Sequence, residues 1–272
     1  MRFGASTYFL RERSVTEALE EIARLGYASA EIWMEHYWSA RQRPRTIARR
    51  ARALGLNLTL HAASHDVNII SANTGIRRES RQQIKTGIEL AAALGASIVV
   101  VHPGTLSSAR GDVGQAWLRL EEVVGLLDHW ALERGLWIGL ENMEKRSGEI
   151  FMIPQDISRI FSHPWKRTRL TLDLAHTQTH MAPSAFLAQV RPEWIGHVHL
   201  SDNSPSKTHL PFGHGQLPVP EVLRALEKVY EGIVSLEGYV PGEGESLLAH
   251  NMAYLRTHGF VQRPARKRDA SR

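Results

Sequence analysis

The amino-acid sequence predicts an α/β protein built as a single (β/α)8 barrel. Short apolar segments alternate with segments of helical periodicity along the 272-residue chain, and we count eight such pairs. Alternating strands and helices form a parallel sheet, and eight units in about 250 residues match the size of a closed barrel. No glycine-rich phosphate loop follows the first predicted strand, which argues against an open doubly wound sheet.

The predicted strands are segments of five or six residues, most of them rich in valine, isoleucine or leucine. In chain order they are RFGAST (2–7), SAEIWM (29–34), NLTLH (57–61), SIVVVH (97–102), LWIGLE (136–141), RLTLD (169–173), IGHVHL (195–200) and GIVSLE (232–237).

Each predicted strand is followed by a segment with helical signals. In the first helix, Ser14 is the expected N-cap, Glu17 completes a capping box, and Gly26 lies just past the end. The remaining helices are expected in an arginine-rich segment that ends near Leu54, and over residues 75–94, 112–134, from 154 onward, 183–190, 218–229 and 244–256.

Composition separates the chain into a barrel, residues 1–260, and a short basic tail, residues 261–272. The tail from Arg263 to Arg272 carries a net charge of +4 out of the total of +5, so the body is nearly neutral despite a pI of about 9.7. A basic segment without periodicity is expected to be disordered. Because the body lacks excess positive charge, nucleic acid is not a favoured partner.

Several classes of protein are excluded by composition or made improbable by it. The chain has no cysteine, so disulfides, thiolate metal sites and cysteine nucleophiles are excluded. No segment approaches the roughly 18 consecutive apolar residues of a membrane span. The N-terminal residues do not resemble a signal peptide, and we therefore expect a cytoplasmic protein.

Six consecutive predicted strands end in, or offer near their end, a residue that binds metals. Parallel strands of a barrel deliver their C-terminal ends to one face, where these side chains would converge. Imidazoles and carboxylates without thiolates suit Zn²⁺, Mn²⁺, Mg²⁺ or Co²⁺, and no organic cofactor is expected. The six residues are His61, His102, Glu141, Asp173, His199 and Glu237.

Other polar and aromatic residues are assigned with alternatives. His197 shares the strand face of His199 but lies one layer deeper, as a partner of a ligand or a core residue. His176, in the Asp-x-x-His segment LDLAH, is expected to bind metal or substrate, or to cap a helix. Trp33 and Trp38 could form an apolar pocket wall or belong to the core. His65, His163 and His180 are expected to be surface histidines.

The motifs, taken together and in order, are similar to those of the xylose-isomerase-like TIM-barrel superfamily, which includes sugar isomerases and epimerases and the endonuclease IV type of AP endonuclease. The matching segments are GYASAEIW, LHAASHDVNIIS, LGASIVVVHPG, GLENM, LTLDLAH, HVHLSDN, HLPFGHG and SLEGY. The resemblance covers nearly all of the chain except the basic tail.

The resemblance implies a divalent metal held by Glu141, Asp173, His199 and Glu237. In isomerase and epimerase members the two glutamates act as acid and base and move a proton through an enediolate. In endonuclease-type members His61 and His102 join Glu141 on one ion, and His176 joins an Asp-x-His pair on another. The resemblance therefore implies His61, His102, His176 and His209 as possible additional metal ligands.

The sequence departs from the endonuclease pattern before HLPFGHG, where KTH, Lys207 to His209, stands in place of Asp-x-His. A lysine there repels a third cation and could instead contact a phosphate or carboxylate of a substrate. We therefore expect an isomerase or epimerase of a small sugar or sugar phosphate, with His176, Lys207 and Trp33 as substrate contacts. A zinc-dependent phosphodiesterase and a metal-dependent dehydratase are the alternatives. Oligomeric state stays open.

Overall fold

In a computed structural model that describes residues 1–204 and 207–262, eight parallel strands close into a barrel. The order around the barrel follows the chain, so every connection is between neighbouring strands. The predicted fold class and all eight predicted strands are confirmed. The barrel strands are β1 (Arg2–Ser6), β2 (Ser29–Trp33), β3 (Asn57–His61), β4 (Ile98–Val101), β5 (Trp137–Glu141), β6 (Thr168–Asp173), β7 (Ile195–Leu200) and β10 (Ile233–Leu236).

Helices connect the barrel strands and form an outer layer. Two 3₁₀ turns, Thr7–Leu10 and Pro192–Trp194, supplement them. The helices are α1 (Val15–Leu25), α2 (Met34–Ala40), α3 (Pro44–Ala53), α4 (Thr74–Leu94), α5 (Val113–Arg134), α6 (Pro154–Phe161), α7 (Leu174–Gln178), α8 (Pro183–Leu187), α9 (Val219–Leu226) and α10 (Gly244–Thr257).

Helix α1 forms where its capping signals predict it. The Ser14 side chain accepts the Glu17 backbone N–H, the Glu17 carboxylate accepts the Ser14 backbone N–H, and Gly26 ends the helix in the left-handed region at φ 94°. The predicted arginine-rich helix is α3, which ends at Ala53 with Leu54 as its C-cap, as expected. Pro44 opens α3, and Arg43 before it is extended, because a residue preceding proline avoids the helical region.

Successive side chains of β7 point alternately into two different environments. Val198 and Leu200 point outward into the apolar core between the barrel and its helices. His197 and His199 point into the barrel, where both contact Glu31 of β2, a strand that is not adjacent to β7. The barrel interior is therefore polar at this level, and these contacts cross it.

A two-stranded antiparallel ribbon, β8 (Asp202–Ser204) and β9 (Lys207–Leu210), rises beyond β7 and was not predicted. The buried Asp202 carboxylate holds the following loop by accepting the backbone N–H groups of Gly213, Gly215 and Leu217, each at 2.9 Å. A side chain at Gly215 would meet the Asn203 carbonyl at 2.3 Å, so only glycine fits.

Two predictions about the chain as a whole concern membranes and the tail. Among the described helices, none combines the length and the hydropathy needed to cross a bilayer. The predicted basic tail lies outside the described residues from Arg263 onward, and its disorder stays a prediction.

Candidate metal centre

Four of the six predicted strand-end residues meet at the C-terminal mouth of the barrel. Each of them offers one ligand atom, and these atoms all lie within 4.8 Å of one another; the four residues are Glu141, Asp173, His199 and Glu237. The His199 Nδ1 atom lies 3.1 Å from Glu141 Oε1 and 3.2 Å from Glu237 Oε1. All four side chains are buried. We call this group the metal centre.

The metal centre contains more negative charge than its protein contacts satisfy. Within the described residues, Glu141 Oε2, Asp173 Oδ2 and Glu237 Oε1 are buried and accept no hydrogen bond, and the histidine nitrogens that face them lie 3.2 to 3.8 Å away. Leaving carboxylate oxygens unpaired in the interior is costly, whereas a divalent cation would satisfy all three at once. The donor set, three carboxylates and one imidazole, therefore fits a divalent ion such as Mn²⁺, Zn²⁺, Mg²⁺ or Co²⁺.

The raised pKa values of Asp173 and Glu237 agree with this deficit of positive charge. Burial and the neighbouring Glu141 charge raise the pKa of Asp173 to about 6. Burial also raises the pKa of Glu237 well above its ordinary value, against the opposing charge of His199. For Glu141, burial is outweighed by His199, His102 and His61, which hold its pKa well below the ordinary value. A bound cation would favour the ionised form of each.

Glu31 supports the metal centre from below and was missed by the sequence analysis. Its two carboxylate oxygens lie 2.9 Å from the Nε2 atoms of His199 and His197, and Thr59 Oγ1 donates to it at 3.0 Å. Because the Nε2 atom of His199 faces Glu31, its Nδ1 atom faces the carboxylates. Such a carboxylate behind a ligating histidine sets the ring orientation and raises its basicity. His197 lies in this deeper layer, as expected.

The remaining two strand-end residues form a second group with Glu141. His102 Nε2 lies 3.2 Å and His61 Nε2 lies 3.6 Å from Glu141 Oε2, and the three ligand atoms are close enough to hold an ion. The Nδ1 atom of His61 donates to the Ala62 carbonyl at 2.8 Å. In the neutral ring its Nε2 lone pair therefore faces the carboxylate, an arrangement that a cation would bridge.

Asn142 ties the GLENM motif to the LTLDLAH motif. Its side-chain amide accepts from the Asp173 backbone N–H at 2.9 Å and donates to the Asp173 carbonyl at 3.2 Å. The backbone carbonyl of Asn142 accepts a hydrogen bond from His176 Nδ1 at 2.9 Å. Burial lowers the pKa of His176 to about 4, so this ring is neutral and its Nε2 atom is an acceptor. His176 thus borders the metal centre, with Nδ1 3.8 Å from Asp173 Oδ2.

The ribbon β8–β9 brings His209 and Lys207 to the same mouth. His209 Nδ1 lies 3.6 Å from Glu237 Oε2, and its ring centroid is 5.4 Å from that of His176. The His209 backbone has a φ of 60°, which is uncommon for a residue other than glycine. Lys207 is the first residue of β9, where the resemblance gave reason to expect a carboxylate.

A cavity of about 260 Å³ opens directly above Glu237 and His209, and we call it the metal-centre cavity. Trp33 lines it and stacks on His61 at 4.1 Å between ring centroids. Trp38, in contrast, is 43% exposed on α2, so neither its core nor its pocket assignment holds.

Two of the three histidines assigned to the surface are exposed there, His65 and His163. His180 is half-buried, with Nε2 3.3 Å from the Met143 carbonyl, so it lies only partly at the surface.

The fold and the buried cluster define a (β/α)8 barrel protein with a candidate metal centre at its C-terminal mouth. A model of the xylose isomerase-like TIM barrel family matches residues 19–258, and the chain belongs to this family.

Relatives and solved structures are similar to this protein over nearly the whole chain. An uncharacterized protein of Methanocaldococcus jannaschii, MJ1311, is 30% identical over 87% of this chain and 83% of its own. The uncharacterized protein Rv0498 of Mycobacterium tuberculosis is 28% identical over 93% and 95%. The crystal structure of a D-tagatose 3-epimerase-like protein has a TM-score of 0.84 at 26% identity, covering 95% of this chain and 97% of that one. An L-ribulose 3-epimerase structure has a TM-score of 0.82 at 17% identity over 94% of each chain, which shows the fold alone.

Proposed function

We propose that the protein is a divalent-metal-dependent isomerase or epimerase that acts on a small sugar or sugar derivative. The observation that carries the proposal is the metal centre, where three buried carboxylates with unpartnered oxygens and one imidazole nitrogen adjoin a cavity. The similarity to a D-tagatose 3-epimerase-like protein supports the sugar substrate. When bound, the cation would polarise a carbonyl or hydroxyl group of the sugar.

Glu141 and Glu237 are the proposed acid and base. Glu141 ends β5 and Glu237 follows β10, and the strands β6 and β7 lie between these two in the barrel wall. Both carboxylates nevertheless lie within 3.2 Å of the same atom, His199 Nδ1. One glutamate removes the proton from the carbon beside the carbonyl, and the C–H electron pair moves into an enediolate. The other returns a proton, to the opposite face of that carbon in epimerisation or to the neighbouring carbon in isomerisation.

Glutamine substitutions test this proposal. We expect Glu141→Gln and Glu237→Gln to lower solvent-deuterium incorporation into ketoses by about 10²- to 10⁴-fold, the usual contribution of one general acid or base. Glu227→Gln, at an exposed position after α9, is the matched control and should exchange like the wild type. Full exchange activity in both active-site variants would show that the two glutamates are not the acid and base.

A phosphodiester hydrolase is the second candidate function, and the group His61, His102 and Glu141 favours it, because it could hold another ion. Lys207, which lines the metal-centre cavity, opposes a third cation there. The metal content separates the two functions. We expect near one tightly bound ion per chain and no nicking of abasic DNA, whereas two or three zinc ions and nicking would favour the hydrolase.

A further inference from the structure

A second and larger cavity, of about 690 Å³, opens beside the metal-centre cavity. Lys207 and Thr208 of β9 line both cavities, so the two spaces are separated only by this strand of the ribbon. We call the larger space the cationic cavity, after the side chains of Lys145, Arg146 and Lys207 in its wall.

The cationic cavity is built from segments that adjoin metal-centre residues in the chain. Lys145 and Arg146 follow Glu141 on the loop after β5, and Lys207 precedes His209 on β9. The loop is fastened across the cavity, since the Lys145 backbone N–H donates to Thr179 Oγ1 at 2.8 Å. A ligand that spans the two cavities would therefore touch the same structural elements at both ends.

The charge of this cavity is unbalanced. Its wall holds three cationic side chains and one carboxylate, Glu144, which leaves a net charge of +2. The carboxylate is already engaged, because Glu144 forms an ion pair with Arg146. The ammonium groups of Lys145 and Lys207 make no ion pair or hydrogen bond with any residue in the described parts of the chain, 1–204 and 207–262. Both lysines are exposed to the cavity solvent.

The cationic cavity and the metal centre thus differ in sign. The metal centre holds three carboxylates, which exceed the charge of one dication when they are ionised. An anionic group is repelled from that excess and attracted by the uncompensated lysines. Opposite fields at adjacent sites would orient a substrate with one anionic end, so that its uncharged carbonyl end lies at the metal centre.

We propose that the cationic cavity binds the anionic end, a phosphate or a carboxylate, of a sugar-derived substrate whose carbonyl end is processed at the metal centre. The proposal deepens the function given above and rests on it. Lys145 and Lys207 supply charge-assisted hydrogen bonds to the anion, and the Arg146 guanidinium, paired with Glu144, offers further N–H donors. Neutral sugars of the same length lack these contacts and bind more weakly.

Direct binding of simple anions tests the cavity without any catalysis. Inorganic phosphate and acetate are titrated by calorimetry into the metal-free and the Mn²⁺-loaded protein, for the wild type and for a Lys145→Met/Lys207→Met variant. Loss of charge-assisted bonds should weaken binding of the anion by about 10- to 100-fold in both forms. Lys228→Met removes an exposed charge on the distant surface after α9 and should bind like the wild type. Absence of anion binding by the wild type, or equal binding by the double variant, overturns the proposal.

Solvent-deuterium exchange then tests the substrate class. The panel contains ketopentoses and ketohexoses, their terminal phosphates and their terminal carboxylates. We expect exchange to be faster for one anionic class, which identifies phosphate or carboxylate, and the double variant to raise KM for that class by about 10-fold or more. If neutral ketoses exchange equally fast and the double variant changes nothing, the anion site is wrong and the isomerase proposal stands. If no ketose exchanges while phosphate or acetate still binds through the lysines, the anion site stands and the isomerase proposal fails.

Discussion

Glu31 provides a sharp test of how the barrel interior supports the metal centre. In Glu31→Gln one carboxylate oxygen becomes an amide NH₂ group of nearly the same size. Both oxygens now lie 2.9 Å from a histidine Nε2 atom, one on His197 and one on His199. The amide offers one oxygen to the two rings, so one ring that now lies against a carboxylate oxygen faces an amide donor instead.

The expected magnitude follows from the contact that is lost. A hydrogen bond to a charged group contributes about 1.5–3 kcal/mol, and each 1.4 kcal/mol corresponds to about a tenfold change in an equilibrium constant. Removing the carboxylate behind a ligating histidine typically weakens metal binding by about 10- to 100-fold. We therefore expect Glu31→Gln to raise the Kd for Mn²⁺ by about 10- to 100-fold.

Calorimetric titration of Mn²⁺ into the metal-free protein measures this Kd. Circular dichroism of the variant checks that the barrel is intact, and Glu79→Gln, at an exposed position on α4, is the matched control. The reasoning is refuted if the folded Glu31→Gln variant binds Mn²⁺ within about twofold of the wild type, because the orientation of His199 would then not depend on Glu31.

Three further predictions concern protons, the ribbon and the pocket wall. The pKa of Asp173 is raised to about 6, so the contribution of its protonated form to the stability of the metal-free fold is lost as pH rises toward 6. Below pH 6, protons compete with the cation for the Asp173 carboxylate. The rise in Tm caused by saturating Mn²⁺ should thus be larger at about pH 7.5 than at about pH 5; a pH-independent rise would contradict this. Asp202→Ala removes four hydrogen bonds from backbone N–H groups and should lower the free energy of unfolding in urea by about 3 kcal/mol, with Asp202→Asn intermediate. An unchanged midpoint would count against this prediction. Trp33→Ala removes a side chain from the wall of the metal-centre cavity. It should raise KM for the substrate about 5- to 10-fold and leave the Kd for Mn²⁺ the same. An unaltered KM would rule out a substrate contact by Trp33.

The strand-end residues were predictable because one geometric rule covers them. In a parallel barrel the last residue of every strand arrives at the same mouth, so His61, Glu141 and Asp173 could be grouped from their positions alone. The caps of α1 were predictable for a similar reason, because Ser14 and Gly26 form hydrogen bonds with the backbone only within the adjacent turn of the helix. Local rules therefore give the barrel and the six strand-end candidates, whereas the choice of four of them as metal ligands came from the family resemblance.

The residues that were missed depend on contacts across the barrel or between loops. Glu31 lies in the middle of β2 rather than at its end, and its partners are 166 and 168 residues away. A charged residue between Ala30 and Ile32 of a buried strand is nevertheless a signal that it has a partner inside. The cationic cavity combines Lys145 with Lys207, and no periodicity of either segment indicates that the ribbon brings them together.

The position of a bound cation tests the central claim most directly. A crystal of the protein soaked in MnCl₂ should show one strong anomalous peak bounded by Glu141, Asp173, His199 and Glu237, with the His199 Nδ1 atom facing it. An empty centre at saturating Mn²⁺, or a peak whose ligands do not include these four side chains, would contradict the account.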